Sequence, residues 1–183
     1  MNRFLKYVVL ATAMLAPANA LAADKLPIAD THLHYSHDAW EVFPTEVAIG
    51  LLREAGLKRA FVSSSSDEGT QRLYTAAPDL VVPVLRPYRR RGELATWMFD
   101  NTRVQMLTEL LAANKYAGIG EFHAYGDDIE TDVLKGVIAL AKQYDIFLHA
   151  HSDADAIDRI FAQDPSAIVP VSYTHLTLPT SIQ

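Results

Sequence analysis

Pro27-Ile28-Ala29-Asp30-Thr31-His32-Leu33-His34 is the stretch on which the reading of this sequence turns. Residues 27–31 have the apolar and β-branched make-up of a strand, and two histidines stand two positions apart at its end. Side chains at i and i+2 of a strand point to one face, so this spacing aims both imidazoles at one point, as a shared metal ion requires. On a helix the same spacing would splay them.

Outward from that stretch, short β-branched or aromatic runs alternate with longer runs of helical period, the pattern of parallel βαβ units. The expected strands are Pro27 to Thr31, Arg59 to Ser63, Val81 to Leu85, Gly118 to Phe122 and Ile146 to Leu148. A first helix opens at Thr45, places Val47, Leu51, Leu52 and Ala55 on one stripe and stops at Gly56, a residue free to take the left-handed terminating conformation. A second spans Thr70 to Ala77 ahead of Pro78. The third carries Val104, Leu107, Leu110 and Leu111, and the fourth Val133, Leu134, Val137, Ile138 and Ala141. Ser152 is the expected cap of a fifth helix that buries Ile157, Ile160 and Phe161. Such units close into a (β/α)₈ barrel or lie in an open doubly wound sheet, and periodicity does not choose between them. No Gly-x-Gly-x-x-Gly follows the first strand, so nothing supports a dinucleotide site.

Histidine placement carries more than any other feature. Of seven histidines, His32 and His34 end the first expected strand, His123 follows the fourth, and His149 and His151 end the fifth. Glu121 lies in Gly118-Ile119-Gly120-Glu121-Phe122-His123, on a strand otherwise apolar or glycine, where a carboxylate is costly unless paired or metal-bound. Its alternative is a buried ion pair with an arginine such as Arg86, which by itself reads equally as a clamp for a substrate carboxylate. Asp30 could orient the histidine pair by accepting an imidazole N–H. His123 and His151 are placed at the substrate pocket. The serines at 63–66 read as a polar strand-end loop, and Arg89-Arg90-Arg91 as a solvated one.

The run Ile28-Ala29-Asp30-Thr31-His32-Leu33-His34, the Gly-Ile-Gly-Glu ending at Glu121, and Phe147-Leu148-His149 together resemble the first-, fourth- and fifth-strand motifs of the amidohydrolase superfamily, in particular its amidohydrolase-related group. The resemblance runs from about Pro27 to Val169. It implies a (β/α)₈ barrel of which the first five to six units are present, and it makes His32, His34 and His149 ligands of zinc or a similar divalent ion, one ion or two. Where many binuclear members carry a carboxylated lysine this chain has Glu121, as the TatD-type nucleases do, and Glu121 is expected to ligate or bridge. A divalent ion on imidazoles and a carboxylate lowers the pKa of a bound water to about 7, which makes it a nucleophile at neutral pH. The implied activity is metal-dependent hydrolysis of a C–N or C–O bond in a small molecule. The alternatives are a TatD-type nuclease and a metal-binding protein without turnover.

Composition agrees with a globular domain and excludes several classes. Of 183 residues, 50% are hydrophobic and 21% charged, and the net charge of −6 disfavours nucleic acid as partner, whose binders expose basic surface. With no cysteine there is no disulfide, thiolate site or cysteine nucleophile, so any metal must sit on histidines and carboxylates. Arg3 and Lys6, the apolar run Tyr7 to Leu15 and the small-x-small patterns Ala18-Asn19-Ala20 and Ala20-Leu21-Ala22 read as a secretory signal over residues 1–22. The mature chain is therefore expected in a periplasm or outside the cell, with no membrane segment after cleavage. Residues 23–169 are then a partial barrel, since a complete one needs about 250 residues. From Pro170, the run Val171 to Thr180 resembles the translation of a transposon-derived sequencing adapter, so residues 170–183 are expected to be a foreign tail and His175 no ligand. On that expectation the sixth-strand histidine and eighth-strand aspartate are missing, strand edges are exposed, and the chain as it stands is inactive.

Overall fold

Five parallel strands pair in chain order: β1 (Ile28–Leu33), β2 (Leu57–Val62), β3 (Val81–Leu85), β4 (Gly118–His123) and β5 (Phe147–His151). The computed structural model describes residues 26–172; the expected signal segment and His175 lie outside the described residues. Between the strands run α1 (Thr45–Glu54), α2 (Asp67–Ala76), α3 (Thr102–Ala113) and α4 (Asp132–Tyr144), with α5 (Ala154–Gln163) after β5. Parallel neighbours joined by helical crossovers make an α/β sheet, and here it curls into a half-barrel. Beyond β5 the backbone of residues 168–172 keeps company with the sheet edge. Leu148 and Ala150 donate to the Ile168 and Pro170 carbonyls, Ser172 donates to Ala150, and Val171 forms a parallel bridge with Ala150.

The strands end later than expected where histidines are concerned. β1 continues through His32, β4 includes His123, and β5 begins at Phe147 and runs through His149 to His151, because pairing of Gly120 with His149 and of His123 with His151 carries the ladder on. His32, Glu121, His123, His149 and His151 thus sit on the sheet, and His34 directly follows the end of β1.

Helix ends follow local chemistry. α2 starts three residues before the expected Thr70, behind an extended Ser66 and with Asp67 and Glu68 in its first turn, where acids complement the helix dipole. Thr131 caps α4 by accepting from the Leu134 amide, and Gly56 takes the left-handed φ of 89° that the sequence suggests. α5 is capped by Asp153, whose carboxylate accepts from Ala156, and not by Ser152, because β5 runs on to His151, three residues past the expected Leu148. Phe161 is exposed, against expectation, because Ala156 and Ile160 form the face of α5 that packs inward. In α1 the buried residues are Ala48 and Ile49, while Val47 and Leu51 are exposed.

Two apolar clusters flank the sheet. The larger joins β3, β4 and β5 to α3, α4 and α5 through Trp97, Leu107, Ile119, Phe122, Leu134 and Ile160, all fully buried. The smaller packs Ile49 of α1 and Leu73 of α2 on Ala60 and Val62 of β2.

Candidate metal centre

Parallel strands present their carboxyl ends at one edge of the sheet, so residues far apart in sequence meet there. His32 belongs to β1 and His34 follows it, Ser63 follows β2, Arg86 follows β3, Glu121 and His123 belong to β4, and His149 and His151 to β5. Gly120 permits the tightest approach. At its φ of 138° a Cβ would stand 2.1 Å from the His149 carbonyl oxygen, so only glycine lets β4 and β5 bring Glu121 and His149 together.

Three donor atoms form a triangle. His32 Nε2 lies 3.0 Å from His34 Nε2, and these two lie 3.3 and 3.2 Å from Glu121 Oε2. Nitrogen and oxygen ligands at 2.0–2.1 Å in a tetrahedral shell stand roughly 3.3 Å from one another, so the triangle has the dimensions of three ligands of one ion. His34 is set for that role. Its Nδ1–H donates to the Ser63 carbonyl at 2.5 Å, which leaves Nε2 with its lone pair toward the triangle. The two imidazoles are about a third exposed, whereas the Glu121 carboxylate is buried.

Burial alone would raise the Glu121 carboxyl, but hydrogen bonds from His32 and Ser172, with the His34 ring beside it, override it and hold the group far below the usual carboxylate range. The same contact with Glu121 raises His32 above its ordinary value. Burial pushes His149 and His123 down to about 4, so both rings are neutral, the form that ligates a metal.

Arg86 pairs with Glu121 twice, Nη2 to Oε2 at 2.9 Å and Nε to the backbone carbonyl at 3.1 Å. Of its two sequence readings, the structure realises the buried ion pair. Asp30 does not touch an imidazole; its carboxylate accepts the backbone N–H of His32 at 3.0 Å, which fixes the strand and not the ring. This corrects the expected role, and the reason is strand geometry: a short side chain at i reaches the amide at i+2 before it reaches the ring beyond it. His149 is buried beside His32, with ring centres 5.1 Å apart, yet it stands outside the donor triangle. His123 and His151, placed by sequence at the substrate pocket, instead form a second group with Glu121 that could hold an ion. Their rings stack at 4.3 Å.

Some contributors carry no sequence signal. The Tyr88 hydroxyl accepts the backbone N–H of His123 at 2.7 Å and lies 3.0 Å from its Nδ1, and Trp97 donates to the His123 carbonyl. An aromatic side chain in a strand-to-helix connection reads only as core, which both residues also are. The serine loop proves specific: Ser63 receives His34, Ser64 Oγ accepts the Tyr35 amide, and Ser36 Oγ accepts the Ser65 amide. A comparison with protein-family models finds no match, and neither does one with curated proteins.

Proposed function

We propose that this strand-end cluster is the centre of a metal-dependent hydrolase of the amidohydrolase type, which cleaves a C–N or C–O bond of a small molecule outside the cytoplasm. The observation that supports it is the triangle of His32, His34 and Glu121, whose donor atoms are spaced as ligands of one divalent ion on the sheet edge where barrel enzymes hold their chemistry. The five parallel strands and their crossovers are consistent with part of a (β/α)₈ barrel.

When bound, zinc or a similar ion supplies Lewis acidity and makes a water nucleophilic near neutral pH. The protein's own residues provide the rest. Ser63 holds the His34 ring in the tautomer that offers Nε2, and Arg86 keeps the Glu121 carboxylate oriented and ionised. Glu121 is the buried carboxylate that the strand-end histidines share, so it compensates positive charge there. His149, neutral and beside His32, is placed to join the ligand set or to face the substrate.

Metal content of the purified chain is the first test. Wild type is expected to retain a divalent ion through desalting, and His32→Ala with His34→Ala to lose it; equal retention by both contradicts the assignment. A panel of esters, amides and lactones then tests the reaction. Turnover that disappears with chelation and returns with zinc supports the hydrolase; a held ion without turnover is what the sequence reading expects of the chain as it stands, so metal content decides the assignment of the centre.

A further inference from the structure

A neutral imidazole has one N–H and one bare nitrogen, and the partners of the ring decide which is which. For His123 the deciding partner is Tyr88. The buried Tyr88 hydroxyl accepts the His123 backbone N–H at 2.7 Å and lies 3.0 Å from His123 Nδ1, and these are its polar contacts among the described residues. If Nδ1 carried the ring proton, the hydroxyl would accept twice and its own O–H would be buried without a partner, a costly arrangement. Tyr88 therefore donates to Nδ1, and the ring proton sits on Nε2. The hydroxyl is held in place from both sides: the Tyr88 ring meets Trp97 edge-on at 6.0 Å, and the Arg86 guanidinium lies 4.8 Å over it. Trp97 also donates to the His123 carbonyl at 2.9 Å, so ring and backbone of His123 are fixed together. Nε2, the nitrogen farther from the backbone, has no hydrogen-bond partner among the described residues. The His123 ring is half-buried and stacks on His151, and one of its nitrogens lies within 4.8 Å of a Glu121 oxygen.

We propose that Tyr88 is a positioning residue that holds His123 in the Nε2–H form, so that His123 serves not as a metal ligand but as the hydrogen-bond donor to the carbonyl oxygen of a bound amide or ester. This rests on the reading of His32, His34 and Glu121 as a hydrolytic centre, and it names the group beside that centre which meets the substrate oxygen. A protonated Nε2 has no lone pair for a metal, and the lone pair of Nδ1 is taken by Tyr88. A donor fixed before the substrate arrives stabilises the negative charge that grows on the carbonyl oxygen as water adds, with no reorientation at that moment. The ring keeps its proton throughout.

Nitrogen NMR of the isotope-labelled, metal-free full chain reads the tautomer directly and without recourse to activity, the His123 ring being identified by its absence from the His123→Gln spectrum. The expected wild-type spectrum has a proton on Nε2 and a bare Nδ1, and a proton on Nδ1 overturns the proposal. Tyr88→Phe should release the ring to a mixture of the two forms; a folded variant that keeps Nε2–H alone overturns the role of Tyr88. Zinc should shift the His32 and His34 rings and leave the His123 Nε2 proton in place, whereas loss of that proton on loading would make His123 a ligand and overturn the proposal. Methylphosphonate, a tetrahedral oxyanion, added to the zinc-loaded chain should move the Nε2 proton resonance downfield, and an unmoved resonance removes the donor role. Zinc that shifts no histidine ring sinks the metal reading and the donor's task with it, while the hold of Tyr88 on His123 is decided by the metal-free spectra alone.

Discussion

The two sides of the sheet are built to different standards. Every residue of β4 from Gly118 to Phe122 is buried, and α4 lays six buried residues against that side. No residue of β1 is buried; Ile28 is 46% exposed, and α1 contributes only Ala48 and Ile49 to the core. Yet the candidate centre draws on both, with His32 on the loose strand and His34 just after it, and Glu121 and His149 from the packed side. Rigid donors on one side and weakly held donors on the other mean that an ion would tie β1 to the rest of the molecule as well as equip it for chemistry.

The largest effect should come from the packed side. Trp97→Ala empties a fully buried position in the larger cluster and is expected to cost about 3–5 kcal/mol in denaturant unfolding. Ile49→Ala, in the smaller cluster, should fall at the low end of the aliphatic range, about 2 kcal/mol. Equal losses would remove the contrast between the two sides.

Metal addition should narrow that contrast. An ion at a hundred times its dissociation constant adds about 2.7 kcal/mol to the folded state. Amide hydrogen exchange should therefore slow at β1 more than at β4, whose amides are already protected by packing. Slowing confined to β4 and β5 would show that the β1 histidines do not bind.

Acidity should act chiefly through the buried rings. His149 and His123 titrate near 4 in the folded chain against an ordinary 6.5, so the unfolded chain takes up protons that the folded one refuses. Their contribution is present above 6.5 and lost as pH falls toward 4. His32, raised by Glu121, runs the other way: its contribution is present below 6.5 and lost as pH rises through its folded value. Glu121, held far below its usual range, stays ionised throughout that window. With the His32 contribution already in place below 6.5, the two buried rings give a net fall in the melting temperature of the metal-free chain between pH 6.5 and 4, and His149→Gln should flatten it. A flat wild-type profile would contradict this account. At the small end, Arg53→Ala removes an exposed pair with Asp79 at the outer surface and should leave the melting temperature unchanged within error.

Much of this was legible in the sequence because it depends on local periodicity. The strand Val81–Leu85 and the start of the helix at Thr45 coincide with expectation, and the i, i+2 rule brought His32 and His34 together as read. The buried face of α1 was not legible. Val47, Ala48, Ile49, Leu51 and Leu52 are apolar nearly all the way round the helix, so period alone does not say which stripe faces β2. Nor was the division of labour among the strand-end histidines, since His123 and His151 have the same spacing to Glu121 and His149 that His32 has to His34. Only the register of β4 on β5, through Gly120 opposite His149, decides which ring meets which carboxylate oxygen.

Glu121 is the point on which both sides of the molecule converge, so calorimetric titration of Glu121→Gln with zinc tests the central claim most directly. The substitution keeps size and removes the charge. The account predicts zinc affinity at least 100-fold weaker than wild type, in line with loss of a ligand, in a chain that circular dichroism shows still folded. Wild-type affinity and stoichiometry in that variant would mean that zinc binds elsewhere and that the triangle of His32, His34 and Glu121 is an ion-pair cluster with Arg86 and no metal centre.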